Sequence, residues 1–191
     1  MANFFKLLLT ALIGVALGLI SVHATVVRDA GFGSAPSGAW QAWLKRGAQD
    51  ADPYARASIS RFGEIPLGPA EGLTFVARHD DSGAALTGRC DYRLAGQPMP
   101  ARFWSLSLLS EHGEEAVAGE RGGFTSLDVV RSENGAFEII AAPHARPGNW
   151  LPAPESERFV LMMQLYDTTI GTSASAIAGA GLPKIVRGTC R

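Results

Sequence analysis

The length, composition and charge of the chain exclude several classes of protein. A chain of 191 residues has room for one domain with a hydrophobic core but hardly for two, and an apolar content of 47% excludes a disordered chain. Its 17 basic and 18 acidic residues form no basic block of the kind that neutralises phosphates, so nucleic acid is not an expected partner.

The N-terminal segment is long and apolar enough to cross a membrane. Residues 7–27 are almost entirely apolar or small, and a helix needs about 20 such residues to span the hydrocarbon core. Lys6 precedes the run, whereas Arg28 and Asp29 after it cancel, so the positive-inside rule places the N-terminus in the cytoplasm. We therefore predict a transmembrane anchor over residues 1–27 with the lipid bilayer as its partner. The protein would be single-pass in the cell (inner) membrane, with its C-terminal domain outside the cytoplasm, in the periplasm.

A cleaved signal peptide is the alternative interpretation of this segment. Val22, His23 and Ala24 form a small-residue cleavage site behind a charged start. A signal peptide usually has an apolar region of about 7–15 residues, and the longer run here favours a retained anchor. Both interpretations export the domain that follows.

The segment after the anchor has the composition of a linker. Residues 28–50 begin with a stretch rich in Gly, Ser, Ala and Pro, which predicts a flexible stalk. Trp40 and Trp43 either start the fold or form an interfacial aromatic anchor, and their positions alone do not decide between these two roles.

The domain is predicted over residues 51–191 and begins with a short helix. Asp52 is expected to cap this helix, with Pro53 at the first helical position and Gly63 at its end. Short apolar runs then predict strands over residues 73–78, 85–94, 102–109, 127–131, 136–141 and 158–166. The last run is apolar on both faces and should be central and buried. No helical periodicity interrupts the strands, so the predicted fold is mainly β, an antiparallel β-sandwich.

Two predicted turns join neighbouring strands. Residues 80–83, with the sequence Asp-Asp-Ser-Gly, resemble a hairpin turn. Asn134 and Gly135 form the dipeptide that best satisfies a type I′ turn, because both central residues of that turn need a positive φ.

Cys90 and Cys190 are the only two cysteines. Two thiols in one exported domain are expected to pair, and strand alternation places Cys90 on the same face as Leu86 and Tyr92, towards the core. We predict a disulfide between them, with two buried free thiols as the alternative. The spacing contains no CxxC motif or Cys/His cluster, so neither zinc binding nor redox catalysis is indicated.

Several arginine and aromatic side chains are candidates for ligand binding. Guanidinium groups beside aromatic rings can hold a carboxylate, a sulfate or a sugar. The candidates are Arg93, Arg102, Trp104, Asn149, Trp150 and Arg187. The structural alternative is that the arginines pair with Asp91 or Asp167 while the tryptophans fill the core or plug one end of the sandwich. The histidines lack metal-ligand spacing, and we expect neither a metal nor a cofactor.

No arrangement of residues forms a catalytic signature. The chain contains no G-x-S-x-G motif, and no histidine is placed recognisably as the partner of a serine. A pair of carboxylates for glycoside hydrolysis can be chosen from Asp128, Glu138 and Asp167 only arbitrarily. The sequence therefore does not support an enzyme.

The second half of the chain resembles a known family. The matching pieces are Cys90-Asp91-Tyr92-Arg93, the segment 100–106, Asn134-Gly135 with Phe137, the segment 147–152, Leu165-Tyr166-Asp167, and Leu182-Pro183 leading to Arg187 and Cys190. Their order and spacing resemble a bacterial family of domains of unknown function, family twelve-fourteen. Short members carry an N-terminal membrane helix and longer members a further preceding domain. The resemblance implies a β-sandwich of jelly-roll type and no particular activity.

Two functional hypotheses follow. The first is a non-catalytic envelope module that binds an envelope protein or a small anionic or sugar ligand through one end of the sandwich. The second is an enzyme acting on a carbohydrate or similar envelope substrate, for which the fold alone is no warrant. Convergence of Arg93, Arg102 and Trp150 on an open pocket with a carboxylate or histidine would favour the enzyme.

Overall fold

The computed structural model describes residues 2–24, 33–62, 66–117 and 121–191. Residues 25–27 of the expected anchor and Gly63, the expected end of the short helix, lie outside these ranges. The helices are α1 (Ala2–Val22), α2 (Pro53–Phe62) and α3 (Ala174–Ala178). The strands are β1 (Ala35–Ser37), β2 (Trp40–Ala42), β3 (Gly72–Ala77), β4 (Cys90–Gly96), β5 (Ala101–Ser110), β6 (Gly123–Thr125), β7 (Phe137–Ala142), β8 (Asn149–Pro152), β9 (Phe159–Thr168) and β10 (Lys184–Cys190).

The strands form two sheets. One has six strands in the order β1-β2-β3-β9-β5-β6, and the other has four in the order β10-β4-β7-β8. All pairs are antiparallel except β7 with β8, which is parallel. Aromatic pairs join the sheets, with Tyr92 edge-on to Phe159 and Trp104 stacked on Phe137. The predicted mainly β, sandwich-like fold is confirmed.

Both predicted helices are present. In α1, the span Asn3–Val22 has a mean hydropathy of 2.2, and its apolar side chains lie exposed. Asp52 caps α2 as expected, because its Oδ1 accepts hydrogen bonds from the backbone N–H groups of Tyr54 and Ala55. None of the residues in the span Asn3–Val22 is buried, and α1 contributes no residue to the described core, so we expect residues 33–191 to fold without it.

Part of the expected stalk belongs to the fold. Within residues 28–50, β1 pairs with β2, and β2 continues the sheet by pairing with β3. Trp40 is buried and donates from Nε1 to the carbonyl oxygen of Pro183, 143 residues away, at 2.8 Å. Strands of three residues are too short to stand out in the sequence, and the pairing of β2 with β3 makes them part of the sheet.

The strand expected over residues 127–131 is wrong. The strand in this region, β6, ends at Thr125, before the predicted segment begins. Residues 126–129 form a turn, in which Asp128 Oδ1 accepts hydrogen bonds from the backbone N–H and the hydroxyl of Thr125. The type I′ turn is wrong as well. Of Asn134 and Gly135, only Gly135 has a positive φ, of 78°. The Gly135 N–H donates to the carbonyl oxygen of Ser132, and the Ser132 N–H donates to that of Ala136, so the loop has three residues. This is a type I turn with a bulge, which needs a single positive φ.

The sequence analysis also missed β8 and β10 as strands. In β10, Cys190 lies opposite Cys90 of β4 with 3.9 Å between the two Cα atoms, and the predicted disulfide joins them. Cys90 is 4% exposed and faces the core beside Tyr92, as strand alternation indicates. The last strand is therefore tied covalently to an interior strand of its sheet.

Candidate functional site

Of the six predicted ligand residues, Arg93 and Arg187 line one pocket, whose lining does not include Arg102 or Trp150. Arg93 and Trp150 lie on the solvent face of the four-stranded sheet, in one cross-strand row with Val186 and Ile140. Arg102 lies at the start of β5 in the other sheet, with its side chain 83% exposed and 3.8 Å from Asp167. This separation leaves the catalytic hypothesis without the convergence that would favour it.

The arginines on the four-stranded sheet are paired with acids. Arg93 contacts Glu138 at 3.4 Å, and Arg146, which the sequence analysis did not single out, holds Asp91 with two hydrogen bonds. These four side chains and Ile140 line an open depression of about 530 Å³. Because each guanidinium already has a carboxylate, an anionic ligand would have to displace one.

Arg187 also lines this depression, and it too is paired with an acid. Its Nε lies 2.8 Å from Asp80 Oδ2, its NH2 donates to the carbonyl oxygen of Ala85, and its guanidinium lies 5.7 Å from the ring centre of Tyr92. Burial raises the pKa of Asp80, but hydrogen bonds from Ser82 and Ala84 and the charge of Arg187 outweigh it and lower the pKa below its usual value. The hydrogen bonds from Ser82 and Ala84, together with the charge of Arg187, therefore hold the Asp80 carboxylate in its charged form.

The remaining candidates also have structural partners. Trp104 is 2% exposed, so its stacking on Phe137 leaves no ring face for a ligand. Asn149 is buried, and its carboxamide accepts from the N–H of Val130 and donates to the carbonyl oxygens of Val130 and Glu138. Trp150 is half-buried and donates to the carbonyl oxygen of Ala142. Ligand binding by these residues stays a prediction.

A second concavity lies on the outer face of the six-stranded sheet. We call it the outer groove. It has a volume of about 310 Å³ and lies over β3 and β9, between the turn at residues 43–47, the loop at residues 66–69 and the turn after β5. Its floor is formed by Val76, Val160 and Met162, whose neighbours along the strands, such as Phe75 and Leu161, face the core.

The outer groove also has polar residues in its lining. Thr74 and Gln164 lie opposite each other in the β3–β9 register, one cross-strand row from Val76 and Met162. Within the described chain, the buried Thr74 Oγ1 has no hydrogen-bond partner. At the rim, the guanidinium of Arg46 lies 4.8 Å from the ring centre of Trp43.

The sequence analysis missed this groove because its residues look like ordinary core. One signal could have found it. Residues 158–166 are apolar on both faces, and a strand of that kind needs cover on both sides, whereas the predicted sandwich supplies only one opposing sheet. The outer face of this strand must therefore be covered by loops or be open to a ligand.

By its fold and site, the protein is a β-sandwich domain that follows an apolar N-terminal helix and carries an apolar groove on one sheet. The model of the family described as "Protein of unknown function (DUF1214)" matches residues 71–170, and the chain belongs to that family. This confirms the resemblance found in the sequence. A comparison with the curated proteins found no match.

Two crystal structures resemble this chain. The VPA0106 protein from Vibrio parahaemolyticus matches with a TM-score of 0.59 and 19% identity, over 96% of this chain and 46% of that one. An uncharacterized protein from Burkholderia cenocepacia matches with a TM-score of 0.45 and 20% identity, over 78% of this chain and 48% of that one. The chain thus corresponds to about half the length of each of these proteins, and the first likeness supports the fold alone.

Proposed function

We propose that this protein is a membrane-anchored, extracytoplasmic binding module without catalytic activity, and that the outer groove binds a small apolar or amphipathic molecule. The outer groove carries the proposal. Ligand sites are typically concave and mostly apolar with a few placed polar groups, and this groove combines an apolar floor with Thr74 and Gln164.

The composition of the groove favours binding over catalysis. Among its described lining residues there is no histidine, cysteine or lysine, and the one carboxylate, Glu111, lies 3.7 Å from Arg158. General acid–base or nucleophilic chemistry needs a titrating group placed beside a second functional group. The lining offers recognition by shape and hydrogen bonding instead.

Two features support the proposed location. None of the described residues of the domain covers the exposed apolar surface of α1, and a bilayer would do so. The disulfide between Cys90 and Cys190 is typical of proteins that fold in an oxidising compartment outside the cytoplasm.

Binding can be tested with a neutral apolar dye. N-phenyl-1-naphthylamine should bind to residues 33–191 with an increase in fluorescence, and Met162→Lys should weaken binding at least about 10-fold, because the groove floor would then bury an ammonium group. Ile140→Lys is the matched control, since Ile140 is also half-buried on the outer face of a strand but belongs to the other sheet. Equal affinity of the two variants would refute the groove as the binding site.

Anchoring can be tested by fractionation. The full chain should stay with membranes through washes with high salt and carbonate, because about 20 apolar residues hold a helix in the hydrocarbon core. Recovery of a mature chain that begins at Thr25 would show that the segment is a cleaved signal peptide and not a retained anchor.

Topology has a separate test. A reporter that is active only outside the cytoplasm, fused after Arg191, should be active, because the charges that flank α1 keep the N-terminus inside. The matched fusion carries, at the same position, a reporter that is active only in the cytoplasm. Activity of this second fusion would show that the C-terminal domain lies in the cytoplasm.

A further inference from the structure

The turn that follows β6 exposes two large apolar side chains. Leu127 is 86% exposed and Val130 is 70% exposed. Outside α1, the other large apolar side chains that the described chain exposes are Tyr54 and Val186, and both are less than half exposed. Single exposed apolar residues are ordinary on a protein surface, but two of them within one short turn form an apolar tip. We call residues 126–130 the apolar turn.

The fold holds the apolar turn in place from both sides. Val129 is buried and faces the core, between the two exposed apolar side chains. The buried Asn149 bonds both the N–H and the carbonyl group of Val130. At the other side, Arg131 NH2 donates to the carbonyl oxygen of Ser126 at 3.3 Å. The exposure of the apolar tip is therefore built into the fold, because turning it inward would break these bonds.

A charged group lies directly beside the apolar turn. Arg131 is exposed, and its guanidinium donates to the carbonyl oxygens of Ser126 and Gly135. Among the described residues, no carboxylate forms an ion pair with it, whereas the nearby Arg121 pairs with Asp128. A guanidinium beside apolar side chains suits the lipid head group region, where phosphate lies next to the acyl chains.

The apolar turn and the start of the domain lie at the same end of the six-stranded sheet. Ala35, the first residue of β1, connects through the register of β2 and β3 to Met163 of β9. Thr125, the last residue of β6, connects through β5 to Gln164, the next residue of β9. From this level β1 runs towards the start of β9 and β6 runs towards its end. The chain therefore enters β1 and leaves β6 at the end of the sheet where β9 ends.

The segment that joins α1 to the domain is short enough to keep this end near the bilayer. Eight residues lie between Ala24 and Gly33, so even a fully extended chain spans at most about 30 Å there. The edge strands β1 and β6 are five strand spacings apart, or about 24 Å. With α1 in the bilayer, the end of the sandwich that carries the apolar turn is within reach of the lipid surface.

We infer that the apolar turn contacts the surface of the membrane that α1 spans, with Leu127 and Val130 inserted among the lipid head groups and Arg131 beside a lipid phosphate. This inference rests on the proposed anchor and adds a second contact, which fixes the orientation of the domain on the bilayer. Two side chains bury too little surface to hold a soluble domain on a membrane by themselves. The anchor makes the contact effective, because it raises the local concentration of the turn at the surface.

The test uses the full chain in vesicles of phosphatidylcholine. An environment-sensitive nitrobenzoxadiazole dye is attached to Glu133→Cys, next to the apolar turn, without reductant, so that the native disulfide stays closed. A nitroxide near the top of the lipid acyl chains should quench this dye at least about 3-fold more strongly than the same dye on Glu155→Cys. Glu155 is the matched control, because it is also exposed but precedes β9, at the opposite end of the sheet.

A second set of variants tests the apolar side chains directly. Leu127→Gln combined with Val130→Gln should lower the quenching at position 133 to that at position 155. The double variant should melt at the wild-type temperature, because both side chains are mostly exposed. Val186→Gln is the control for loss of an exposed apolar side chain, since Val186 lies on the outer face of the other sheet, and it should leave the quenching unchanged.

The outcomes distinguish this inference from the anchor on which it rests. If the chain floats with the vesicles in a density gradient but the two dye positions are quenched equally, the inference is wrong and the anchor stands. Full quenching at position 133 in the double variant also overturns it. A chain that does not float with vesicles refutes both. A dye at position 133 of residues 33–191 that responds to protein concentration without lipid would show that the apolar turn contacts a second copy instead.

Discussion

The outer faces of the two sheets differ in how completely their polar groups are paired. On the four-stranded sheet, Arg93 and Arg146 each have a carboxylate partner. On the six-stranded sheet, the outer groove has an apolar floor, and the Thr74 hydroxyl at its end has no described partner. The side chains that stand out in the sequence hold the fold together, whereas the groove is built from residues that look like core.

This difference predicts two kinds of mutational effect. Changes around the four-stranded sheet should lower the free energy of unfolding, because they break pairs that are already made. Changes in the outer groove should alter binding with little loss of stability. Three substitutions around the four-stranded sheet test the first half of this contrast, and a fourth, of the exposed Arg102 on the six-stranded sheet, serves as a comparison; they follow in decreasing order of expected effect.

Loss of the disulfide should have the largest effect. Cys190→Ser should lower the free energy of unfolding of residues 33–191 by about 2–5 kcal/mol, because the bridge closes a loop of 100 residues in the unfolded chain. Urea denaturation of the wild type and the variant measures this difference in the free energy of unfolding. The double variant of Cys90 and Cys190 should cost the same, and a double variant that is much less stable would mean that Cys90 contributes in another way.

Asn149→Ala should cost about 2–3 kcal/mol, because it leaves the Val130 N–H and two carbonyl groups without their side-chain partner. The same denaturation experiment applies. Asn149→Asp keeps the acceptor for the Val130 N–H but removes both donors, so it should fail to restore stability. Wild-type stability of either variant would contradict a structural role for Asn149.

Arg187→Met should cost about 1–2 kcal/mol at neutral pH, since a partly exposed guanidinium is lost from a buried carboxylate. The folded-state pKa of Asp80 is lowered, so its contribution to stability is present above its unfolded pKa of about 3.9 and is lost as the pH falls through the folded value. The difference between wild type and Arg187→Met should therefore shrink below about pH 4. Unfolding measured as a function of pH tests this, and a difference that does not change with pH would exclude the Asp80 pair as its cause.

Arg102→Met should have the smallest effect, no more than about 0.5 kcal/mol, because its pair with Asp167 is 3.8 Å long and both side chains are mostly exposed. Thermal unfolding at low and high salt measures it. If Arg102→Met lowered the free energy of unfolding as much as Arg187→Met does, exposure of an arginine would not predict how much it contributes to stability.

Local patterns in the sequence predicted much of the fold. The predicted boundaries of β3, β5, β7 and β9 lie within two residues of the observed ones at each end, because period-2 alternation is a local property. Strands β1, β2 and β8 could not be found in this way, since they are only three or four residues long and show too little alternation. The turn at Gly135 was assigned the wrong type because the loop length, which the sequence leaves open, selects the turn.

For the candidate site, the sequence identified conspicuous side chains and one of their partners, Asp167, which lies 3.8 Å from Arg102. Asp91, named as a possible partner for an arginine, pairs with Arg146, and Arg187 pairs with Asp80 instead. Such pairings join residues 55 or more positions apart, and composition and spacing carry no information about them.

The sequence by itself determined the apolar N-terminal helix, the mainly β class, the family and the inward direction of Cys90, because run length, alternation and motif order are read along the chain. Only the tertiary structure decided that Trp40 belongs to the core, that the candidate arginines are paired, and that Val76 and Met162 form the floor of a groove. The physical reason is that a β-strand has two faces, and whether the second face is covered depends on segments that meet it only after the chain has folded.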